Sequence, residues 1–208
     1  MSEMFQECSS LEKLNILNIN TENVTNMDSM FWKCEKLEKL DLKNFNTNKI
    51  NNMKSMFFKC SSLKDLNFII FNTSNVIEIN DLFYYCSNLE ELNIYNTNEE
   101  NTENDIAFLF KDINIFNFNI INVTNMSFMF DRCVLLKKFN IINFDTSKVK
   151  NMNRIFYKCK KLIDIDLSKF IVNKDTSTFG SFTGCSETLI KKVKSQVTNL
   201  NQDTFKQN

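Results

Sequence analysis

The chain has no histidine, no proline, only two glycines, and no excess of either charge. Without histidine, a cysteine nucleophile lacks its usual base and a mixed Cys/His zinc site has no imidazole to use. Gly180 and Gly184 are the only glycines, which excludes any ordinary glycine-rich phosphate loop. Lys and Arg total 25, as do Asp and Glu, so no net charge draws in nucleic acid or an anionic membrane. No uninterrupted apolar run approaches the ~20 residues of a membrane-spanning helix, so membrane insertion is not expected. The opening Met1-Ser2-Glu3-Met4-Phe5 lacks the basic start and the apolar run of roughly 7–15 residues that mark a secretory leader.

What the chain has instead is a repeat. A Phe stands three residues before a Cys at Phe5/Cys8, Phe31/Cys34, Phe57/Cys60, Phe83/Cys86, Phe130/Cys133, Phe156/Cys159 and Phe182/Cys185, which uses every cysteine in the protein. The usual step is 26 residues, and Phe110 marks a further frame without its Cys. A fixed period in the twenties, with leucines at fixed offsets, predicts a solenoid of stacked units, each touching only its neighbours. Zinc sites want close Cys pairs, and here the nearest cysteines are 26 residues apart, so no metal or other cofactor is expected. The common slot points to packed thiols inside the stack, in preference to a disulfide ladder.

One unit shows how a coil is read. Leu40-Asp41-Leu42 alternates with period two, predicting a short strand with Leu40 and Leu42 inward and Asp41 outward. Met53, Met56, Phe57 and Cys60 then fall at i, i+3, i+4 and i+7, the stripe of a two-turn helix, with Asn52 at its N-cap. Phe45 and Ile50 are inward turn positions between them. Thirteen of the 21 Phe occupy just two slots of the repeat, so the phenylalanine content is a core property. The asparagines at 20, 46, 72 and 119 are placed to form a ladder, each amide bonding the backbone of the next coil.

Residues 1–185 are thus read as seven to eight coils, with an irregular one at about 96–122 where Phe110-Lys111-Asp112-Ile113 skips the Cys-x-x-Leu segment. Leu189, Ile190, Val193, Val197 and Leu200 share a helical face, predicting a capping helix over 186–200 and a loose tail over 201–208. No polar cap is visible at the start, and the expectation drawn from this is a piece of a longer chain.

The pattern Leu37-x-x-Leu40-x-Leu42-x-x-Phe45-Asn46-Thr47, followed by Ile50-x-Asn52-Met53-x-x-Met56-Phe57-x-x-Cys60, resembles the BspA-like leucine-rich repeat surface proteins. Within them it is similar to the subgroup of mycoplasma surface lipoproteins, and the likeness covers about residues 1–185. It implies an α/β leucine-rich-repeat-type solenoid whose ~26-residue coils each carry a short parallel β-strand and a short helix. It also implies cell-surface display, adhesion, and binding of a protein or glycan partner. The chain departs from the secreted pattern in showing no leader, lipobox or anchor.

Binding is expected on the outward face of the sheet, as solenoids use their extended concave surface. The outward residues fall in columns. One is short and polar and includes Asn67, Asn93, Asn114 and Asn140; beside it Ile69, Tyr95, Phe116 and Ile142 form an apolar row. Such a patch marks interaction sites, with Tyr95 and Phe116 as anchors. Trp32, Phe58, Tyr84, Asp131 and Tyr157 form another column, read as cover for the short helices. Asp164 and Asp166 share a strand face, and a solvated edge explains them better than acid–base chemistry. The expected function is therefore non-enzymatic interaction, with a structural spacer or an intracellular scaffold as alternatives.

Overall fold

The structure is a computed structural model that describes residues 1–16, 19–42, 44–67, 73–95, 115–117, 120–142, 145–165, 167 and 170–206. Its strands are short and parallel: β1 (Lys13–Leu14), β2 (Lys39–Asp41), β3 (Asp65–Asn67), β4 (Glu91–Tyr95), β5 (Ile115–Asn117), β6 (Lys138–Ile142) and β7 (Asp164–Ile165). They form two sheets, ordered β1-β2-β3 and β5-β4-β6-β7. In β2 the alternation behaves as read, with Lys39 and Asp41 exposed around a buried Leu40. The repeat sets the register, pairing Leu40 with Leu66 and Leu14 with Leu40.

Among the described residues the expected short helices are absent from the coils. The stripe Met53, Met56, Phe57 and Cys60 is fully buried as expected, but its backbone is a run of overlapping turns. Met30, Trp32 and Cys34 donate their N–H groups three residues back, to Met27, Ser29 and Phe31. The intervening N–H groups of Met27, Ser29, Phe31 and Lys33 leave the coil and donate to Asn52, Lys54, Met56 and Phe58 of the next one at 2.7–2.9 Å. An α-helix would keep all of these bonds within itself, four residues back. Helical spacing reports which side chains face inward and is silent on which carbonyl each N–H reaches.

This arrangement requires a left-handed residue twice per coil, as in turns with φ > 0 at their third position. The pairs are Glu3/Glu7, Ser29/Lys33, Ser55/Lys59, Asp81/Tyr85, Phe128/Arg132 and Arg154/Lys158, with φ between 53° and 62°. Each non-glycine residue there costs roughly 1–2 kcal/mol. Bonds to the next coil, worth about 0.5–1.5 kcal/mol net each, and burial of the Met, Phe and Cys side chains offset it. In the last coil the two slots are Gly180 and Gly184, the only glycines of the chain. Asn52 does accept from a backbone amide, that of Lys54 at 2.9 Å, but it closes a turn and caps no helix. Asn26, Asn125 and Asn151 act in the same way.

The core is built of columns along the stack. Phe5, Phe31, Phe57, Phe83, Phe130, Phe156 and Phe182 stack ring on ring, with centroids 5.3–5.6 Å apart. Each cysteine from Cys34 onward donates its thiol to the frame-Phe carbonyl of the preceding coil at 3.0–3.1 Å. All seven thiols are free, and five of them are buried. Burial pushes the Cys34 thiol up to about 11 and Cys185 up to about 12, and raises Cys60, Cys86, Cys133 and Cys159 as well. The asparagine ladder exists but in another column. Asn20 and Asn46 close local turns, and the cross-coil amides are Asn75, Asn122 and Asn173, donating to Asn48, Ser74 and Ser147. Asn72 and Asn119 lie outside the described residues.

The irregular coil is bypassed on the turn face. The Phe83 ring stacks directly on Phe130, and the bridge column runs from Glu78 straight to Asn125. Phe110 lies outside the described residues. On the sheet face β5 takes the edge of β4 opposite β6, the side a regular stack would give to β3. At the far end α1 (Glu187–Gln196) starts at Ser186, whose hydroxyl accepts from Leu189, and buries Leu189 and Val193. Residues 201–206, expected as a loose tail, hold a 3-10 helix (Gln202–Phe205) with Thr204 buried.

Two outcomes follow from the buried thiols. A timed Ellman titration of the native protein is expected to label the exposed Cys8 promptly and the five buried thiols only on unfolding; prompt reaction of all seven would contradict the fold. Their folded pKa values lie above the unfolded value near 8.5, so the stability they contribute is complete below about pH 8.5 and is lost as pH rises toward the folded values. Urea midpoints are expected to fall as pH rises above about 8.5, with a slope approaching about 1.4 kcal/mol per thiol per pH unit by about pH 9.5 to 10.

Candidate interaction surface

The parallel register decides which candidate residues meet on the sheet face. Asn93 pairs with Asn140 and Tyr95 with Ile142, so β4 and β6 carry the amide row and the apolar row side by side. Asn67 pairs with Asp41 in the other sheet. Ile69 and Asn114 lie outside the described residues. Phe116 pairs with Ile94, and it is Asn117 that pairs with Tyr95, one residue out of the register read from the sequence. In the regular coils the Cys-x-x-Leu segment leads into the strand at a fixed spacing, and this coil lacks it. Opposite charges flank the rows, with Glu91 in register with Lys138 and Lys138 with Asp164.

The turn face carries a second set of rings. Trp32 stacks on Phe58 at 5.5 Å and Phe58 on Tyr84 at 4.6 Å. Lys33 Nζ lies 4.0 Å from the centroid of the Trp32 ring. These ring faces are turned along the stack toward one another, and the segments that the column was read as covering are turns, not short helices.

At Asp131 the column changes character. Its side chain is fully buried where other coils place a ring, with Arg154 Nε at 2.9 Å and Arg132 Nε at 3.5 Å. None of these four atoms has an aligned hydrogen bond, so the carboxylate is held by charge alone. The guanidinium of Arg154 lies 4.0 Å from the Tyr157 ring centroid and takes the place of the missing ring, while Arg132 lies 5.4 Å from that of Tyr85. Burial pushes the Asp131 carboxyl up to about 6, against the attraction of Arg154, Arg132 and Lys158. The sequence carried a signal for this cluster. Arg132 and Arg154 are the only arginines among 25 basic residues, and Asp131 is the one acid in an aromatic column.

Among the described residues no group of three or more Cys, Asp or Glu side chains is arranged to hold a metal. No helix among them is long and apolar enough to cross a membrane.

The Asp131 cluster has a pH signature. A carboxyl raised to about 6 when folded, against ~3.9 unfolded, contributes stability that is complete below about pH 4 and fades as pH rises through 6. Between about pH 4 and pH 7 the native protein is expected to lose up to about 2–3 kcal/mol relative to Asp131→Asn. Parallel pH dependence of the two proteins would show that Asp131 is not raised.

The family described as "Mycoplasma protein of unknown function, DUF285" matches residues 1–117 and 104–197. No curated protein matches the chain. Among solved structures, the T. pallidum leucine-rich repeat protein TpLRR is similar with a TM-score of 0.53 at 16% identity, over 94% of this chain and 74% of that one. At that identity the likeness speaks for the fold, a leucine-rich repeat solenoid.

Proposed function

Because the chain belongs to the DUF285 family and is built as a leucine-rich repeat solenoid, we propose that it is a non-catalytic binding module whose partner docks on the exposed sheet face. The partner is a protein or a glycan, and the finer reading is a BspA-like adhesion role at a cell surface. The observation that carries the proposal is the register of β4 and β6, which sets Tyr95 beside Ile142 and Asn93 beside Asn140. Repetition of one strand position in adjacent parallel strands gives a partner an ordered row of identical spacing, which a loop surface does not offer. Short amides next to an aromatic and an aliphatic residue match the anatomy of a protein interface, where a few apolar anchors carry the energy and polar neighbours fix orientation. Phe116, one register position away from this row, is no longer counted among the anchors.

The test is a panel of extracellular-matrix proteins and a glycan array probed with the native protein and with the double variant Tyr95→Ser/Ile142→Ser. Native protein is expected to bind at least one member saturably, and the variant to bind it at least ~10-fold more weakly with an unchanged melting temperature. Equal binding by the variant would remove the row from the interface. Absence of any saturable ligand would favour a spacer.

A further inference from the structure

The charges of this neutral chain are not spread evenly. Residues 120–171, two 26-residue periods of the repeat, carry ten Lys and Arg against four Asp and Glu. Both arginines of the protein lie there, and they converge with a lysine on a single ring. The guanidinium carbons of Arg154 and Arg132 lie 4.0 and 6.0 Å from the centroid of Tyr157, and Lys158 Nζ lies 5.1 Å from it. The repeat brings them together. Arg132 and Lys158 fill the second left-handed slot of successive coils and Arg154 fills the first. The Arg132 backbone N–H donates to the Tyr157 carbonyl at 2.7 Å, which fixes the two coils against each other at this point.

The charges in this cluster do not balance. Asp131 is the carboxylate between the guanidinium groups, with Arg154 Nε at 2.9 Å and Arg132 Nε at 3.5 Å. Asp81, whose charge also reaches Asp131, accepts from the Asn80 amide at 2.8 Å and is attracted to Lys54. Three cations thus face one buried carboxylate, an excess of two positive charges. Nor is Asp131 gripped by an arginine fork. Its oxygens and both Nε atoms are buried without an aligned hydrogen bond, so neither guanidinium sets a two-pronged bond on it. Each arginine has its Nε anchored inside, while 33% of the Arg132 side chain and 22% of Arg154 remain exposed. Arg132 lies 5.4 Å from the Tyr85 ring centroid and Arg154 lies 5.3 Å from that of Phe128. Like charges gathered around one ring repel, and an anion placed among them offsets that cost.

We propose that Arg132, Arg154 and Lys158 bind the phosphomonoester group of a small molecule, at a site on the turn face separate from the sheet-face row. Such a group carries about −1.5 to −2 charge near neutral pH and three acceptor oxygens, which matches the excess charge and the number of cations. Planar guanidinium groups bind phosphate oxygens in pairs, and an ammonium group adds a point charge. A sulfate ester carries a single negative charge and leaves the excess half balanced. Asp131 is a positioning residue here, since it pins both Nε ends from inside and holds the donors in place before a ligand arrives. The rings of Tyr85, Phe128 and Tyr157 frame the half-buried cations. Aromatic walls around a few fixed polar groups are what small-molecule sites share.

Arg132 and Arg154 are the only arginines of the chain, so the arginine Nε–H signals of a nitrogen-15-correlated NMR spectrum report on this site alone. The native protein is titrated near neutral pH and at constant ionic strength with glucose 6-phosphate, glucose 6-sulfate, inorganic phosphate and a phosphoserine peptide. Glucose 6-phosphate is expected to shift both signals saturably, and the sulfate ester to bind at least ~10-fold more weakly. Lys158→Gln keeps the stem of the side chain and both arginines. It is expected to weaken glucose 6-phosphate ~10-fold with an unchanged Tm. Absence of a saturable shift with glucose 6-phosphate would overturn the proposal, as would equal affinity in the native and Lys158→Gln proteins. Equal affinity for the two esters would also overturn it, by making the site one for any anion. Saturation by inorganic phosphate or by the peptide at ~10-fold lower concentration than by the sugar ester would overturn it too, in favour of a free anion or a protein ligand.

Discussion

The bond on which the rest of this architecture depends is the backbone N–H that leaves one coil and is accepted by the next. Half of the donors on the turn face are committed in this way. Freeing them from local helix formation demands two left-handed residues per coil, and the chain accepts that strain at Ser29, Lys33, Ser55, Lys59 and their equivalents. The same bonds hold successive coils at a spacing that lets phenyl rings stack and lets each thiol reach the carbonyl behind it. Strain, ring stacking and thiol burial are three consequences of one hydrogen-bonding choice.

Apolar columns tolerate this repetition well, because each side chain meets a copy of itself. A charge does not. Asp131 enters a column of rings and is met by two guanidinium groups, one of which lies over the Tyr157 ring, 4.0 Å from its centroid. The cluster sits at the junction between the Phe83 and Phe130 coils, where the chain has skipped a coil. Arginine suits the place better than lysine, since a planar cation can both pair with a carboxylate and stack.

Much of this was legible in the sequence, and the failures are instructive. The strand alternation at Leu40, the buried stripe through Met53, Met56, Phe57 and Cys60, and the packing role of the cysteines could all be read, because burial depends on side-chain period. The helix reading failed because spacing of three and four residues is shared by helices and overlapping turns, and nothing local marks Ser55 and Lys59 as left-handed. Gly180 and Gly184 were the one hint, since they occupy those slots in the last coil. The cross-coil amides were sought at Asn20 and Asn46 and found at Asn75, Asn122 and Asn173; any exposed asparagine column fits the pattern equally well, and only the backbone path distinguishes them. The backbone register of β4 and β6 pairs Asn93 with Asn140 and Tyr95 with Ile142, whereas Phe116 pairs with Ile94, one residue from the alignment read from the sequence, in the coil whose Cys-x-x-Leu segment is missing.

The skipped coil also makes one junction unlike the others. Thiol-to-carbonyl contacts elsewhere close loops of the same size, with partners 29 residues apart, whereas Cys133 reaches Phe83 across 50. Ring closure over the longer segment costs about 0.5 kcal/mol more in chain entropy. That increment falls on a single junction of an array whose core nevertheless runs through it as one continuous cluster.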